Sequence, residues 1–572
     1  MTAWANRLCA GLVAIGLALP MGAGATGISG SYLAARQASF LGDYEAAAHY
    51  YGRALAFAPT KPELLERAIL ANISLGEMDD AAALARQMTA NGYASELAQM
   101  AIIAQEAASG NFATVVEMID AQQGVGPLGD GLVKAWALVG LGDMDGAMDS
   151  FDAVAQIQGL GPFAAYHRAL ALAATGQFQQ ADALLADDTA GGMVNTRRGV
   201  MARAEVLSQL GRNDEAVTLF ARAFGQDVDP ALAQMRSALE AGETLPFTHV
   251  TNAKDGMAEV FFTLAGALSS EGNNDLTLLY TRLAEHLRPT HVDAILLSAE
   301  LLDQMQQHDL ALAAYARVPS DHPSFHAAEL GRAEALRKSG LEEDAITVLR
   351  GLTQSHGDLP IVWTTLADVY RADERFAEGV EAYTTAMGLF DEITERQWFL
   401  FYARGICQER EGNWPEAEAD FRRALELNPE QPQVLNYLGY SLVEKQLKLD
   451  EALELIERAV AARPNSGYIV DSLGWVLYKL GRYEEAVPHM ERAAELMPID
   501  PIVNDHLGDV YWSVGRAREA EFMWKRALSF VDWEDAAEEA DPELIKRKIE
   551  VGLDQVRIEE GLPPLESANA AD

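Results

Sequence analysis

A repeat of about 34 residues constrains this chain more than any other feature. Leu438-Gly439, Leu473-Gly474 and Leu507-Gly508 lie 35 and 34 residues apart. Each is followed by two small residues at fixed places: Ala452 and Ala459, Ala486 and Ala493, Ala520 and Ala527. Pro464 and Pro498 close two of the intervals. One unit earlier, Gly405, Gly412, Ala417, Phe421, Ala424 and Pro429 fill the same slots, so four consecutive units hold one register, with a one-residue insertion near Leu447. A period of this length marks an array of supersecondary units. None of them buries its apolar face alone, so stability comes from stacking on neighbours.

Within a unit the apolar residues return every three or four positions, which predicts two amphipathic helices. Gly or Ala at their crossing lets the paired helices approach to about 8–10 Å. Gly412, Gly481 and Gly515 fall between the helices, where a left-handed residue ends the first one. Proline after the second helix stops it, having no N–H to donate. Tyr511, Phe421 and Trp524 are predicted to fill the space between units.

The register continues upstream. Ala265, Ala299, Ala333 and Ala367, spaced at 34, align with the glycine slot, and Pro289 and Pro323 close two of those units. Gly42, Ala47, Tyr51, Ala54 and Pro59 make a first unit, and Gly76, Gly110, Gly142, Gly176 and Gly211 mark successive inter-helix turns. The count is roughly fourteen units, six before residue 230 and eight after 257. The predicted architecture is an all-α superhelical solenoid of paired antiparallel helices, in two sub-solenoids. Residues 26–230 form the first and 257–533 the second. An irregular connector, 231–256, lies between them and has the length of a hinge or a binding loop. The pattern from Pro542 to Gly561 predicts a helix within 534–561 that caps the last repeat, and 562–572 reads as a disordered tail.

The N-terminus reads as an export signal. Arg7 precedes an apolar run from Leu8 to Leu19, Pro20 breaks it, and Ala23-Gly24-Ala25 offers a cleavage site after Ala25. Cys9 lies at the start of the run, not after it, so the pattern is not that of a lipoprotein anchor. With 1–25 removed as a signal peptide, Cys407 is the one remaining cysteine, which excludes an intramolecular disulfide. No later stretch reads as a membrane span. The expected mature protein is soluble and outside the cytoplasm. Its 44 basic against 85 acidic residues give a net charge of −41, which disfavours phosphate backbones and anionic lipid surfaces as partners.

These spacings and residue types resemble the tetratricopeptide-repeat (TPR) family over most of residues 30–530. The stretches VLNYLGYSLVEKQLKLDEALELIERAV, GYIVDSLGWVLYKLGRYEEAV and NDHLGDVYWSVGRAREA further resemble a group of bacterial envelope TPR proteins. That group includes periplasmic adaptor lipoproteins that bind and activate carboxyl-terminal processing proteases. The resemblance implies a soluble scaffold in the periplasm of a Gram-negative bacterium that presents substrates, such as cell-wall hydrolases, to such a protease. The missing lipobox cysteine departs from the pattern of those lipoproteins.

In a TPR superhelix the first helix of each pair lines the concave groove. Counting from the repeat start places Phe399 and Tyr402, then Asn436 and Tyr440, then Asp471, Trp475, Tyr478 and Lys479, then Asp505, Asp509 and Trp512 on that face. Asn and Asp are poor choices inside helices, so their presence beside aromatics suits hydrogen bonding to a bound peptide. The competing reading makes Trp475 and Tyr478 inter-repeat packing and the aspartates a solvated face.

No motif points to catalysis, a cofactor or a metal, and the chain is expected not to be an enzyme. Gly124, Gly126 and Gly129 spell G-x-G-x-x-G but follow a helical pattern, and a similar Gly159-Leu160-Gly161-Pro162 recurs 35 residues later. A dinucleotide site needs that loop between a strand and a helix. His322 and His326 are four apart, yet Pro323 intervenes and no third ligand is evident. Cys407 falls in a repeat helix as a buried small residue. G-x-S-x-G, P-loop and H-E-x-x-H motifs are missing. The alternatives to a protein-binding adaptor are a structural scaffold in envelope or polysaccharide assembly, and a cell-wall enzyme with a helical superstructure. The latter needs a catalytic domain that no stretch of the sequence supplies.

Overall fold

The computed structural model describes residues 28–126, 129–186, 192–225, 229–269, 272–531 and 540–565. The predicted signal peptide and the end of the predicted tail lie outside them. Among the described residues there are thirty-one α-helices and no strand. They form fourteen antiparallel pairs, from Ile28–Phe40 with Tyr44–Leu55 to Pro501–Ser513 with Ala517–Leu528. Six pairs precede residue 230 and eight begin at 253, as the period predicts.

The small residues do what the repeat requires of them. A Cβ on Gly439, Gly474 or Gly508 would come within 2.6 Å of Ile456, 2.2 Å of Met490 and 2.4 Å of Trp524. Each glycine thus admits the facing second helix of its own pair. Ala299, Ala333 and Ala367 fill the same slot upstream and are fully buried. The turns follow one pattern: Gly412 takes φ +78°, its N–H reaches Glu409 O, and the Asn413 N–H reaches Gln408 O at 2.8 Å. This is a helix C-terminus closed by a left-handed residue. At three turns within pairs the chain lacks the glycine, and Gln306, Glu374 and Gln446 adopt φ of 61°, 58° and 53° instead. Those positions carry strain of about 1 kcal/mol each.

The chain divides into two compact units, Met1–Leu352 and Thr353–Asp572. The division falls inside helix Glu342–Ser355. The stretch 231–256 lies within the first unit, and most of it is ordered: Pro230–Glu240 is a helix, unpaired by any partner of its own repeat, and helix Ala253–Ser269 begins soon after.

In the first unit, the helix pair Ala253–Ser269 and Asn274–Leu287 does not simply continue the stack. It packs against Pro62–Leu75, Glu96–Ala108, Asp130–Leu141 and Gly161–Ala174, the first helices of the second to fifth repeats. In several repeats successive first helices touch one another, whereas successive second helices make no comparable contact, which puts the first helices on the concave side. The N-terminal repeats therefore close their groove around a hairpin of the same chain. The backbone at Gly256 lies on the Trp136 indole, where a Cβ would be 2.1 Å from the ring.

Polar groups fix this closure. Glu259, wholly buried, accepts from the Tyr166 hydroxyl at 2.8 Å and from Arg198 at 2.9 and 2.6 Å. Arg198 also pairs with Asp293. His291 Nδ1 accepts from the Ala294 N–H, so its other nitrogen donates to Glu259 at 3.3 Å. His167 accepts from the Trp136 indole N–H at 3.2 Å and meets Thr263 Oγ1 at 3.2 Å. Burial opposes the Glu259 charge, but Arg198 and His291 outweigh it and hold the carboxyl well below its usual range. Burial pushes His167 down to about 4 and His249 down to about 3, which keeps both imidazoles neutral. Arg282 reaches across to Ser74 O at 3.0 Å, and the Tyr44 hydroxyl donates to Asp275 at 3.1 Å.

The second unit is a plain stack of five pairs, Pro360–Ala372 to Ala517–Leu528, followed by two short helices, Pro542–Val551 and Leu553–Glu559. Gly552 joins these two at φ +81° and sits against Trp512, where a Cβ would be 2.3 Å from the indole.

Candidate functional site

With the groove of the early repeats filled by their own hairpin, an open groove lies along the first helices of the second unit. A cavity of about 400 Å³ opens there between Trp398–Arg410, Pro432–Glu444, Gly467–Lys479 and the start of Pro501–Ser513. Three of the sequence-predicted residues line it: Asn436, Tyr440 and Asp471. Asn436 is only 8% exposed, and its Oδ1 has no hydrogen-bond partner. A buried acceptor without a donor costs about 1–3 kcal/mol, so a group from outside has something to gain by supplying one.

Trp475 and Lys479 stand behind this wall. The Trp475 indole N–H donates to Glu444 at 2.7 Å, the ring stacks on His506 with centroids 3.8 Å apart, and Lys479 Nζ lies 4.7 Å over it. His506 donates through Nδ1 to Asp471 at 3.0 Å. Burial acts to lower the imidazole pKa, but the Asp471 carboxylate outweighs it and holds the ring above its ordinary value. Tyr478 stacks on Trp475 at 4.8 Å and is buried, which pushes its hydroxyl far up.

The groove positions predicted in the last repeat are taken by the chain itself. Lys548, from Pro542–Val551, inserts between Asp505 at 2.8 Å and Asp509 at 2.9 Å. Burial, with Asp505 nearby, pushes Asp509 up to about 6 despite that ammonium. The Trp512 indole N–H donates to Asp554 at 3.0 Å. Asp505, Asp509 and Trp512 therefore anchor the terminal helices and are not open to a partner, because the last repeat's exposed face has to be covered. Phe399 is 41% exposed but lies outside the cavity lining. Tyr402 packs between Trp398, Phe421 and Tyr437, and burial pushes its hydroxyl to about 12.

Counting along the helices missed Tyr468, which is 45% exposed at the cavity, and Met497 and Asp500, which reach it from the loop before Pro501–Ser513. Helical periodicity addresses mid-helix positions; first turns and the loops between repeats carry no such signal.

The rejected motifs have structural explanations. Gly124 and Gly126 follow helix Phe112–Asp120, Gly129 precedes helix Asp130–Leu141, and the Asp130 carboxylate accepts from the Val125 and Gly126 amides. Those amides, which would cradle a phosphate, already hold an anion. His326 Nδ1 lies 3.0 Å from Pro323 O, and no group of three or more His, Cys, Asp or Glu among the described residues is placed to hold a metal ion. Burial pushes the Cys407 thiol up to about 11, away from nucleophilic character. Among the described residues no helix is long and apolar enough to cross a membrane.

Residues 296–532 match the model of the family described as tetratricopeptide repeat. The tetratricopeptide-repeat family is supported also by a TPR repeat-containing protein of Pseudomonas aeruginosa, 26% identical over 183 residues. That match covers 32% of this chain and 30% of the relative, so the chain spans under a third of that protein's length. Among solved structures, a chain of the APC/C hetero-tetramer Cut9–Hcn1 is 16% identical, covering 94% of this chain and 98% of that one, with a TM-score of 0.37. The TPR protein YrrB, described as having an unusual peptide-binding site, is 20% identical over 33% of this chain and 95% of its own, with a TM-score of 0.27. The cavity and every residue named along it fall within the matched tetratricopeptide repeats.

Proposed function

We propose that this chain is a protein-binding scaffold whose second unit holds an extended segment of a partner across the first helices between 398 and 513. The observation that carries the reading is the cavity at Asn436, where a buried acceptor lacks a donor beside aromatic side chains. Tetratricopeptide repeats bind other proteins or peptides, and the first unit has spent its own groove on an internal hairpin. The leader-like residues 1–25 support export to the periplasm of a Gram-negative bacterium. The likeness of the stretches at 434–460, 467–487 and 504–520 to envelope adaptors supports a carboxyl-terminal processing protease, with its substrates, as the partner.

The test is an affinity capture from an envelope extract by the full chain and by Tyr440→Ala/Tyr468→Ala, with helix content checked by circular dichroism. Both tyrosines line the cavity, so the variant is expected to lose the protease while staying folded. Equal recovery by both versions would sink the groove assignment. Capture of assembly machinery without a protease would refute the adaptor role.

A further inference from the structure

The walls of the cavity at Asn436 describe its occupant more closely than the family does. Its floor is apolar and aromatic, from Met497, Ile502, Val503, Tyr440 and Tyr468. Its polar wall is acidic: Glu409, Glu444, Asp471 and Asp500 line it, against the single cation Arg410. Some of this charge is already met. Glu409 pairs with Lys445 at 2.9 Å, and Asp471 with His506. Glu444 has only a loose cation, Lys479 at 3.9 Å, and Asp500 has none within 4.0 Å among the described residues, its carboxylate serving the Val503 amide. Two under-compensated carboxylates thus line the same cavity as Asn436, whose buried Oδ1 lacks a donor.

We infer that this cavity takes a lysine or arginine side chain from an extended segment of the partner protein; this rests on the peptide-binding reading above. A long basic side chain matches the walls part by part. Its aliphatic stem packs on Met497 and Ile502, its charged head lies near Tyr440 and Tyr468, and its N–H groups supply the donor that Asn436 lacks and the positive charge that Glu444 and Asp500 lack. An acidic side chain would meet four carboxylates, and an apolar one would leave Asn436 unsatisfied.

The test is selection of a random decapeptide display library on the full chain, counter-selected on Tyr440→Ala/Tyr468→Ala. Peptides that depend on the tyrosines are expected to carry Lys or Arg at one fixed position. Replacing that residue by norleucine should weaken binding about tenfold. The variant Glu444→Gln/Asp500→Asn removes two charges but keeps the Trp475 acceptor and the helix cap, since Asn caps as well as Asp. It should bind the basic peptide about tenfold more weakly and the norleucine peptide unchanged. Tyrosine-dependent peptides with no basic position would overturn this inference and leave peptide binding standing. An absence of any tyrosine-dependent peptide would overturn both. Calorimetry with spermidine separates a free polyamine from a peptide side chain: charge-dependent binding of spermidine alone, as tight as the peptide's, would overturn the assignment to a partner protein.

Discussion

Glu259 is the most demanding single position in the first unit, and Glu259→Leu tests why. The carboxylate is buried and meets Arg198 through two hydrogen bonds, the Tyr166 hydroxyl at 2.8 Å and His291 at 3.3 Å. Leucine fills the volume but leaves Arg198, whose side chain is 17% exposed, with Asp293 alone. Removing one partner of a buried pair costs about 3–5 kcal/mol. Tyr166 keeps its contact with His249 at 3.2 Å, so it adds little, and the total is about 4 kcal/mol. At about 1.4 kcal/mol per decade, amides of Ala253–Ser269 and Asn274–Leu287 should lose about a thousandfold in hydrogen-exchange protection. The double variant Arg198→Met/Glu259→Leu removes the stranded charge and should recover most of that loss. Protection within tenfold of wild type in Glu259→Leu, or a double variant worse than either single one, would refute the account.

Glu374→Gly should stabilise the second unit by about 1 kcal/mol in thermal unfolding, because Glu374 holds a left-handed conformation at φ 58° where most turns use glycine. Lys548→Met strands Asp505 and Asp509 under the terminal helices; a loss of about 3 kcal/mol is expected, read as rapid proteolysis within 542–559 while the repeats stay intact. The raised pKa of His506 means that the folded state holds its proton more tightly than the unfolded chain does. Its contribution is therefore fully present below the unfolded value of about 6.5 and is lost as pH rises through the folded value. Melting of the second unit should fall with rising pH above about 6.5, and Asp471→Asn should flatten that dependence.

The period was legible because its residues answer to local geometry. A glycine that must admit Met490 or end a helix at positive φ leaves a mark at one position, whatever lies farther off. The pair count and the turns at Gly412, Gly481 and Gly515 followed from this. Three of the predicted groove residues, Asn436, Tyr440 and Asp471, meet at one cavity for the same reason: position along a helix fixes its face. What was hidden depends on contacts between distant segments. Nothing near Glu259 in sequence signals Arg198 or Tyr166, 61 and 93 residues away. Asp505 and Asp509 read as groove residues because the lysine that neutralises them lies some 40 positions later, beyond the last repeat.

The internal hairpin sets a rule for how this chain can vary. In an open repeat array, stability is close to a sum over neighbours, and a unit is inserted or deleted with little penalty elsewhere. The second unit has that freedom up to its terminal helices. In the first unit, Tyr44 of the first repeat meets Asp275 across 231 residues and Arg198 of the sixth meets Glu259 across 61, so the two ends of the arc are tied to one hairpin whose helices are about 25 and 21 Å long. Adding or removing one early repeat would change the arc without changing the rod inside it, and every contact from Trp136 to Arg198 would fall out of step. The number of repeats in the arc is thus set by the length of one hairpin.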